Sequence, residues 1–195
     1  MSASPNTDDV SADEASTDGV ATSATHSAAV VALQERWADA IEVCEENRGQ
    51  WRVEFSDREP LLEIVTFLRD DPALKYDFLV DITGLDHYGE EPRFRALYIL
   101  RSMTLNDDIV LKVKVPEEDI WAPSLTSLFA SANWLEREAY DMFGIKFRGH
   151  PDMRRILMPE IFHDFPLRKD FPMEGTMTDQ EWAEWIISRA QRVEE

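Results

Sequence analysis

Three carboxylates close together in the chain are the first candidates for chemistry. Glu136, Glu138 and Asp141 lie within six residues of one another, and paired carboxyl groups are what acid–base hydrolysis of a glycoside requires. The stretch also has a helical pattern, and charged residues on the outer face of such a helix are usually solvated or paired. We therefore expect an outer face on which Arg137 pairs with Asp141, four residues away. A stand-alone hydrolase using the three carboxylates is the alternative from another class.

Neither the histidines nor the cysteine form a metal-binding or nucleophilic motif. His150 and His163 lack the close spacing of an H-x-x-x-H pair. A single cysteine, Cys44, excludes a disulfide framework and any site built from cysteines alone. P-loop, nucleophile-elbow and C-x-x-C patterns are absent from the sequence. The residue types therefore predict a binding or scaffold subunit that holds no catalytic centre, cofactor or metal of its own.

The charge and hydrophobicity of the sequence argue against nucleic-acid binding and against a membrane span. The 195 residues include 20 Lys and Arg against 39 Asp and Glu, a formal net charge of −19. Nucleic-acid binding needs clustered bases to contact phosphates, so no nucleic acid is expected. The apolar share of 44% is enough for a folded core, but no apolar run approaches the roughly 20 residues of a membrane span.

The chain divides into three parts. Residues 1–29 carry five acids and neither Lys nor Arg among many Ser, Ala and Thr residues, and this composition buries too little apolar surface to offset chain entropy. We predict a disordered acidic tail at 1–29, which resembles neither a secretory signal nor a transit peptide. An α+β domain at 30–143 and a partner-binding arm with a terminal helix at 144–195 follow.

Periodicity assigns the elements of the domain. Apolar spacing predicts a helix from Val30 through Cys44 that ends at Gly49, then a strand over 51–55 and a helix from Pro60 to Asp71. Three alternating strands with polar turns between them follow, so antiparallel neighbours are expected. Two helices before such a meander predict an antiparallel sheet with helices covering one face. The core side of the first meander strand is assigned to Tyr76, Phe78, Val80 and Ile82.

Two further helices are predicted after the meander. Ser131 is expected to cap a helix that Gly144 ends. Thr178 and Glu181 form a capping-box pattern that opens the terminal helix. The apolar face of the first of these helices is assigned to Trp134, Leu135, Ala139, Met142 and Phe143.

Residues 144–177 are the most informative part of the sequence. They contain four prolines, which exclude a long helix or a central strand, and twelve large apolar side chains. An irregular stretch this long and apolar must lie against its own domain or against another protein. Between Lys146 and Lys169 there are six bases and three acids. These bases pair either with carboxylates of a partner or with the chain's own excess acids, and the sequence leaves both open.

Three sequence blocks resemble a known family. Residues 133–145 read NWLEREAYDMFGI, residues 149–157 read GHPDMRRIL, and residues 166–172 read PLRKDFP. Together they resemble the 30 kDa subunit, also called the C-subunit, of respiratory complex I, the proton-pumping NADH–quinone oxidoreductase. Asp164-Phe165 departs from the family pattern, which has Gly-His before Pro-Leu-Arg.

The resemblance implies an α+β domain with an extended C-terminal arm and no redox centre. It implies docking on the hydrogenase-like large subunit of the peripheral arm, next to the quinone site. We expect the sheet and the stretch at 144–177 to make this contact. The chain would then support electron transfer from NADH to quinone, the substrates of the whole complex, while FMN and iron–sulfur clusters lie in partner subunits. Its expected location is peripheral, on the cytoplasmic side of the cell inner membrane.

Candidate interface residues come from the arm and its neighbouring helices. The candidate interface residues are Arg137, Arg148, His150, Arg154, Arg155, Arg168, Lys169, Phe171, Trp182 and Trp185.

Within the resemblance, the alternative is a same-type subunit of a related membrane hydrogenase or ferredoxin-fed dehydrogenase.

Overall fold

A computed structural model describes residues 27–193, so nearly all of the tail predicted at 1–29 lies outside the described residues. A short 3₁₀ turn, Ala38–Ala40, separates the first helix from the first strand. In chain order the helices and strands are α1 (Ala28–Trp37), β1 (Ile41–Asn47), β2 (Gln50–Phe55), α2 (Leu61–Asp70), β3 (Phe78–Asp86), β4 (Phe94–Ser102), β5 (Asp107–Val115), β6 (Trp121–Pro123), α3 (Ala132–Phe143), β7 (Lys146–Arg148) and α4 (Asp179–Val193).

Five strands form one mostly antiparallel sheet in the order β1-β2-β5-β4-β3. The predicted meander is confirmed, because β3–β4 and β4–β5 are antiparallel hairpins. Within this five-stranded sheet, β2 and β5 are the parallel pair, because the chain crosses over between them. A second, two-stranded parallel sheet joins β6 to β7. The α+β class is therefore confirmed.

The helix predicted from Val30 through Cys44 is wrong in its second half. The chain leaves the helix after Trp37 and pairs Ile41–Asn47 with β2 as an edge hairpin. Arg48 and Gly49 both have positive φ, 53° and 78°, which is the backbone of a two-residue primed turn that favours hairpins. The hairpin therefore overrides the helical spacing of the apolar residues.

The predicted core side of β3 is also wrong in part. Leu79 and Ile82 are buried, whereas Phe78 and Val80 are exposed. The pairing with β4 shifts register between Leu79 and Asp81, and such a bulge moves one residue out of alternation. The alternating pattern cannot reveal where this extra residue is inserted.

The core lies between the sheet and its helices. α1 and α2 bury apolar side chains on one sheet face, and α3 packs on β3. On the opposite sheet face the charges pair across strands, including Arg95 with Glu54 at 2.8 Å and Lys112 with Glu45 at 3.7 Å. Residues buried completely in the core include Leu33, Phe55, Leu61, Ile64, Leu68, Phe94, Tyr98, Leu100, Ile109 and Leu111.

α3 ends as the sequence predicts but differs at its start. Gly144 terminates it in the left-handed region at φ 82°, where glycine is favoured. Ser131 precedes the helix without making a side-chain capping bond, so that capping prediction is wrong. Trp134, assigned to the apolar face, is exposed to solvent. The capping box of α4 is confirmed, because Thr178 N donates to Glu181 Oε2 and Glu181 N donates to Thr178 Oγ1.

The packing of α3 on β3 depends on the absence of a side chain at Gly84. A Cβ atom there would lie 2.7 Å from Cδ2 of Phe143. We expect Gly84→Ala to lower the free energy of unfolding by about 1–3 kcal/mol, because the ring cannot move without disturbing the core. Urea unfolding of the full chain measures this change. Adding Phe143→Leu should restore part of the loss, and a fully stable Gly84→Ala variant would contradict the close packing.

Candidate partner-binding surface

The stretch between β7 and α4, residues 149–178, contains neither helix nor strand, and we call it the connecting segment. Much of it lies against its own domain. Met153 and Met158 pack on the hydrophobic core, and Phe162 is buried. The part of the segment that faces solvent is therefore held by its contacts with α3 and with the β3–β4 hairpin.

Asp141 on α3 is the main anchor of the connecting segment. Its Oδ2 atom accepts hydrogen bonds from the backbone N–H groups of Ile156, Leu157 and Met158, at 3.1, 2.7 and 2.9 Å. Its Oδ1 atom accepts one from Arg155 Nη1 at 2.7 Å. The carboxylate is fully buried, so these four donors replace the water that it would bind in the unfolded chain.

Arg137 also binds the segment, and its predicted pairing with Asp141 is wrong. Its Nε and Nη2 atoms donate to the backbone oxygens of Arg154 and Arg155, at 2.8 and 3.3 Å. The guanidinium lies 5.1 Å from the ring centroid of Trp134. Asp141 takes Arg155 instead, because Arg155 reaches it from the segment that folds back over the helix.

His150 fixes the beginning of the connecting segment. Its Nε2 atom lies 3.1 Å from the backbone oxygen of Asn133, and its Nδ1 atom accepts a hydrogen bond from Asp152 N at 2.9 Å. With Nδ1 accepting, the Nε2 atom is the donor. Both ring nitrogens are therefore occupied inside the chain.

A second anchor lies at the β3–β4 hairpin. The buried Arg93 donates to Asp86 at 2.8 Å, to Glu117 at 2.7 Å and to Asp170 at 2.7 Å. Asp86 also accepts from the backbone N–H of Lys169 at 2.7 Å. The hydrogen bonds from Arg93 hold the pKa values of Asp86 and Asp170 below their usual range. This Arg93 cluster fastens the far end of the connecting segment to the sheet.

Arg168 joins the segment to the end of α3. Its Nε atom donates to the backbone oxygen of Phe143 at 2.7 Å. Its guanidinium lies over the rings of Phe165 and Phe94, 4.4 and 4.9 Å from their centroids. Arg155 therefore pairs with one of the chain's own acids, one of the two alternatives that the sequence left open, whereas Arg168 binds a backbone oxygen and two aromatic rings of the chain.

The predicted basic residues Arg148 and Arg154 are exposed. Arg148 lies over Trp121, 3.5 Å from the ring centroid. Arg154 pairs with Asp152 at 2.6 Å, but 72% of its side chain is accessible. An ion pair this exposed is weak and can exchange partners readily, so Arg154 is available to another protein.

The aromatic candidates lie in two places. Phe171 packs on Phe162, with ring centroids 6.0 Å apart. Trp182 and Trp185 on α4 are half-buried, and their rings meet edge to face at 6.1 Å. Grooves of about 590 and 580 Å³ flank α4 where it rests on the connecting segment.

The structure brings some of the ten candidates together and separates others. Arg137, His150, Arg154 and Arg155 lie along α3, with His150 at its start and Arg155 near its end, and Arg168, Lys169 and Phe171 lie near the β3–β4 hairpin. Sequence reasoning missed the anchoring roles of Asp141, Asp86 and Arg93, because their partners are distant in the chain.

Large apolar side chains of the connecting segment remain in solvent. Leu157 is 60% exposed, and Met173 is fully exposed. Ile161 and Leu167 are also exposed. Several exposed apolar side chains on one well-anchored segment favour a protein-binding surface.

The three carboxylates considered for hydrolysis do not form a reactive site. Glu136 and Asp141 are both fully buried rather than on the outer face of the helix, so neither can reach a substrate. A signal for Glu136 was present, because Ala132, Glu136 and Ala139 follow a helical stripe that continues to the core residue Phe143. Within residues 27–193, no group of three or more His, Cys, Asp or Glu side chains could hold a metal ion.

Glu136 is a buried acid with a shifted pKa. Its Oε1 atom accepts from Leu125 N at 2.6 Å, while Oε2 makes no hydrogen bond of normal geometry to the described residues. Burial raises its pKa to about 7, although the Leu125 N–H and the nearby Ser124 hydroxyl oppose this.

None of the helices in the described part of the chain has both the length and the hydrophobicity needed to cross a bilayer.

Removal of the Asp141 charge should release the connecting segment. We expect Asp141→Ala to cost about 3–5 kcal/mol of stability, because Arg155 and three N–H groups lose their buried acceptor. The variant should be cleaved by protease within 154–160 far faster than the wild type. Asp152→Asn is the matched control, since it removes an exposed carboxylate near the same place. Equal cleavage of wild type and Asp141→Ala would contradict the anchor.

Glu136 should make stability depend on pH. Because its folded pKa of about 7 lies above its ordinary value of 4.5, the native state binds the proton more tightly than the unfolded chain does. Its contribution is full below about pH 4.5 and is lost as the pH rises through 7. Relative to Glu136→Gln, the wild type should lose about 3 kcal/mol between pH 4.5 and 8. Urea unfolding across this range measures it, with the exposed Glu138→Gln as control; parallel curves for wild type and Glu136→Gln would contradict it.

Comparison with known proteins places the chain. Residues 55–177 match the family described as respiratory-chain NADH dehydrogenase, 30 Kd subunit. The C-subunit of NADH-quinone oxidoreductase from Citrifermentans bemidjiense is 47% identical over 147 residues, which are 75% of this chain and 89% of that protein. The protein of the same name from Roseiflexus sp. is 48% identical over 141 residues, 72% of this chain and 80% of that one.

Solved structures agree with this fold. A trypsin-resistant fragment (1-134) of Nqo5 is 37% identical, with a TM-score of 0.55, over 63% of this chain and 97% of that chain. A chain of the membrane-bound sulfane sulfur reductase, an archaeal respiratory membrane complex, is 22% identical with a TM-score of 0.58, over 74% and 84% of the two chains. The second likeness shows the fold alone.

The family match covers well over half of the chain and includes all three sequence blocks that carried the resemblance. The protein therefore belongs to the family of the 30 kDa subunit of respiratory-chain NADH dehydrogenase.

Proposed function

We propose that this protein is a non-redox subunit in the peripheral arm of proton-pumping NADH–quinone oxidoreductase. It docks on the hydrogenase-like large subunit next to the quinone site and supports electron transfer from NADH to quinone. FMN and iron–sulfur clusters belong to partner subunits. The curated relatives that are 47% and 48% identical, both named as the C-subunit of this enzyme, support the assignment.

One observation carries the docking part of the proposal. The connecting segment is anchored by buried charges on one side and leaves Leu157, Leu167 and Met173 in solvent on the other. A segment already fixed in its bound shape loses little conformational entropy on association, which strengthens binding. The proposed docking surface therefore comprises the arm with its terminal helix, residues 144–195, together with the exposed side chains of α3 next to it.

The open face of the sheet contributes less to docking. Its bases already pair with acids of neighbouring strands, as Arg95 does with Glu54 and Lys112 with Glu45. Covering this face would desolvate paired charges and add few contacts. In this proposal the arm therefore carries more of the interface than the sheet, although both were expected to bind the large subunit.

The chain reaches the membrane through its partners in this proposal. It lies on the cytoplasmic side of the cell inner membrane, bound to an enzyme whose other subunits span the bilayer. The related candidate is a same-type subunit of a membrane hydrogenase or ferredoxin-fed dehydrogenase; the fold shared with the sulfane sulfur reductase chain, which is 22% identical, fits either candidate. The higher identity to the C-subunit of the NADH enzyme favours that enzyme.

Purification of the tagged full chain from detergent-solubilised membranes separates these candidates. We expect a complex that contains the large subunit, shows flavin and iron–sulfur absorption, and reduces quinone with NADH. Iron–sulfur absorption without flavin or NADH oxidation would favour the related enzyme. Recovery of the chain alone from the soluble fraction would contradict both.

Charge reversal tests which arginines face the partner. Arg154→Glu should weaken assembly at least about tenfold and leave the isolated chain as stable as wild type, because this side chain is exposed. Arg155→Glu should instead destabilise the isolated chain, because it places a second carboxylate beside buried Asp141. Assembly is measured by pull-down with the large subunit, and stability by thermal unfolding.

Arg36→Glu is the matched control for these variants, since it makes the same charge change at an exposed position on α1. It should leave assembly unchanged. Normal assembly and normal quinone reductase activity with Arg154→Glu would contradict the part of the proposal that assigns this arginine to the interface.

A further inference from the structure

Among the tryptophans that the structure describes, Trp134 is the most exposed. It stands in the first turn of α3 with 62% of its surface accessible. By contrast, Trp121 in β6 is buried under Arg58 and Arg148. An exposed tryptophan at a structured site is unusual, because its large apolar surface is normally covered.

Arg137 holds the indole in one position. Its guanidinium lies 5.1 Å from the Trp134 centroid, within the range of a cation–π contact. Arg137 is itself fixed, because its Nε and Nη2 atoms donate to the backbone oxygens of Arg154 and Arg155. Its Nη1 atom makes no hydrogen bond to the described residues and so keeps donors for another acceptor.

This pair is continuous with the exposed side of the connecting segment. Arg137 contacts the backbone of Arg154, and the Arg154 side chain is largely accessible beside it. The following residues lead through the Asp141 anchor to exposed Leu157. Tryptophan and arginine are among the residue types that carry most of the binding energy in protein interfaces.

We propose that Trp134 and Arg137 form the anchor of docking: the indole fills an apolar pocket on the large subunit, and the Arg137 and Arg154 guanidinium groups meet carboxylates at its rim. The inference rests on the proposed function and deepens it by naming the anchor residues and the chemistry of the pocket. Arg137 is a positioning residue for the indole as well as a contact.

The distribution of charge favours a protein pocket with an acidic rim over a lipid surface or a second copy of the chain as the partner. The net charge of −19 repels an anionic lipid surface and a second copy of the chain. The segment from Lys146 to Lys169 has six bases and three acids, a local excess of positive charge. A small apolar pocket with carboxylates at its rim can bind this region while its negative charge stays distant from the acidic residues elsewhere in the chain.

Binding of the full chain to the purified large subunit tests the anchor. We expect Trp134→Ala to raise Kd at least about 30-fold, and Arg137→Ala about tenfold. The double variant should bind little worse than Trp134→Ala, because Arg137 acts partly by holding the ring. Trp134→Phe should restore part of the affinity. Thermal unfolding of Trp134→Ala should match wild type, since the side chain is exposed.

Phe78→Ala is the matched control. Phe78 is an exposed aromatic residue on edge strand β3, at the opposite end of that strand from the Arg93 cluster. Its removal should leave Kd unchanged.

Failure of the inference can be told from failure of the proposed function. If wild type binds the large subunit and Trp134→Ala binds equally well, the anchor is wrong and the proposed function stands. If wild type does not bind the large subunit at all, the proposed function itself fails. If wild type binds phosphatidylglycerol vesicles and Trp134→Ala does not, or if Trp134→Ala abolishes a dimer of the chain, the acidic-pocket assignment is overturned.

Discussion

The burial of one carboxylate determines the form of the C-terminal half of this protein. Asp141 is out of contact with water and accepts hydrogen bonds from three consecutive N–H groups and from Arg155. A buried charge is tolerated only where donors replace its hydration. The loop from Arg155 to Met158 therefore cannot leave the helix without a large cost in free energy. A proline-rich stretch with no helix or strand acquires a fixed shape in this way.

Two further features of the fold position α3 and the connecting segment around that carboxylate. Gly84 allows α3 to lie close to β3, which fixes the helix that carries Asp141. The Arg93 cluster then fastens the far end of the connecting segment to the hairpin of the same strand. Between these two anchors backbone N–H groups and Phe162 face the domain, while Ile161 and Leu167 remain exposed to solvent. This division explains how a segment that packs on its own domain can still serve a partner.

The sequence predicts the fold class and the family well, and the internal contacts of the segment poorly. Alternation located β4 and β5, and Gly144 and the Thr178–Glu181 box located helix ends, because these signals are local. Strand β1 was predicted as part of a helix because its apolar residues have helical spacing, but the two-residue turn at Arg48 and Gly49 folds this stretch into a hairpin. The bulge in β3 was missed because the alternation of apolar and polar residues does not reveal it.

The candidate site depended on contacts that no local pattern encodes. Asp141 and Arg155 are 14 residues apart, and Arg93 and Asp170 are 77 apart. Their neighbours in sequence suggest other partners, so Arg137 was matched with Asp141 on helical spacing alone. The bases of the segment therefore looked equally suited to a partner and to the domain. The structure divides them, with Arg155 and Arg168 inward and Arg148 and Arg154 outward.

The central claim is that the connecting segment has its binding shape before the partner arrives. Hydrogen exchange at the amides of Ile156, Leu157 and Met158, measured in the isolated full chain and in the assembled enzyme, tests it most directly. The account predicts strong protection of all three amides already in the isolated chain, with little further change on assembly. Rapid exchange in the isolated chain, followed by protection only in the enzyme, would show that the partner folds the segment and would contradict the account.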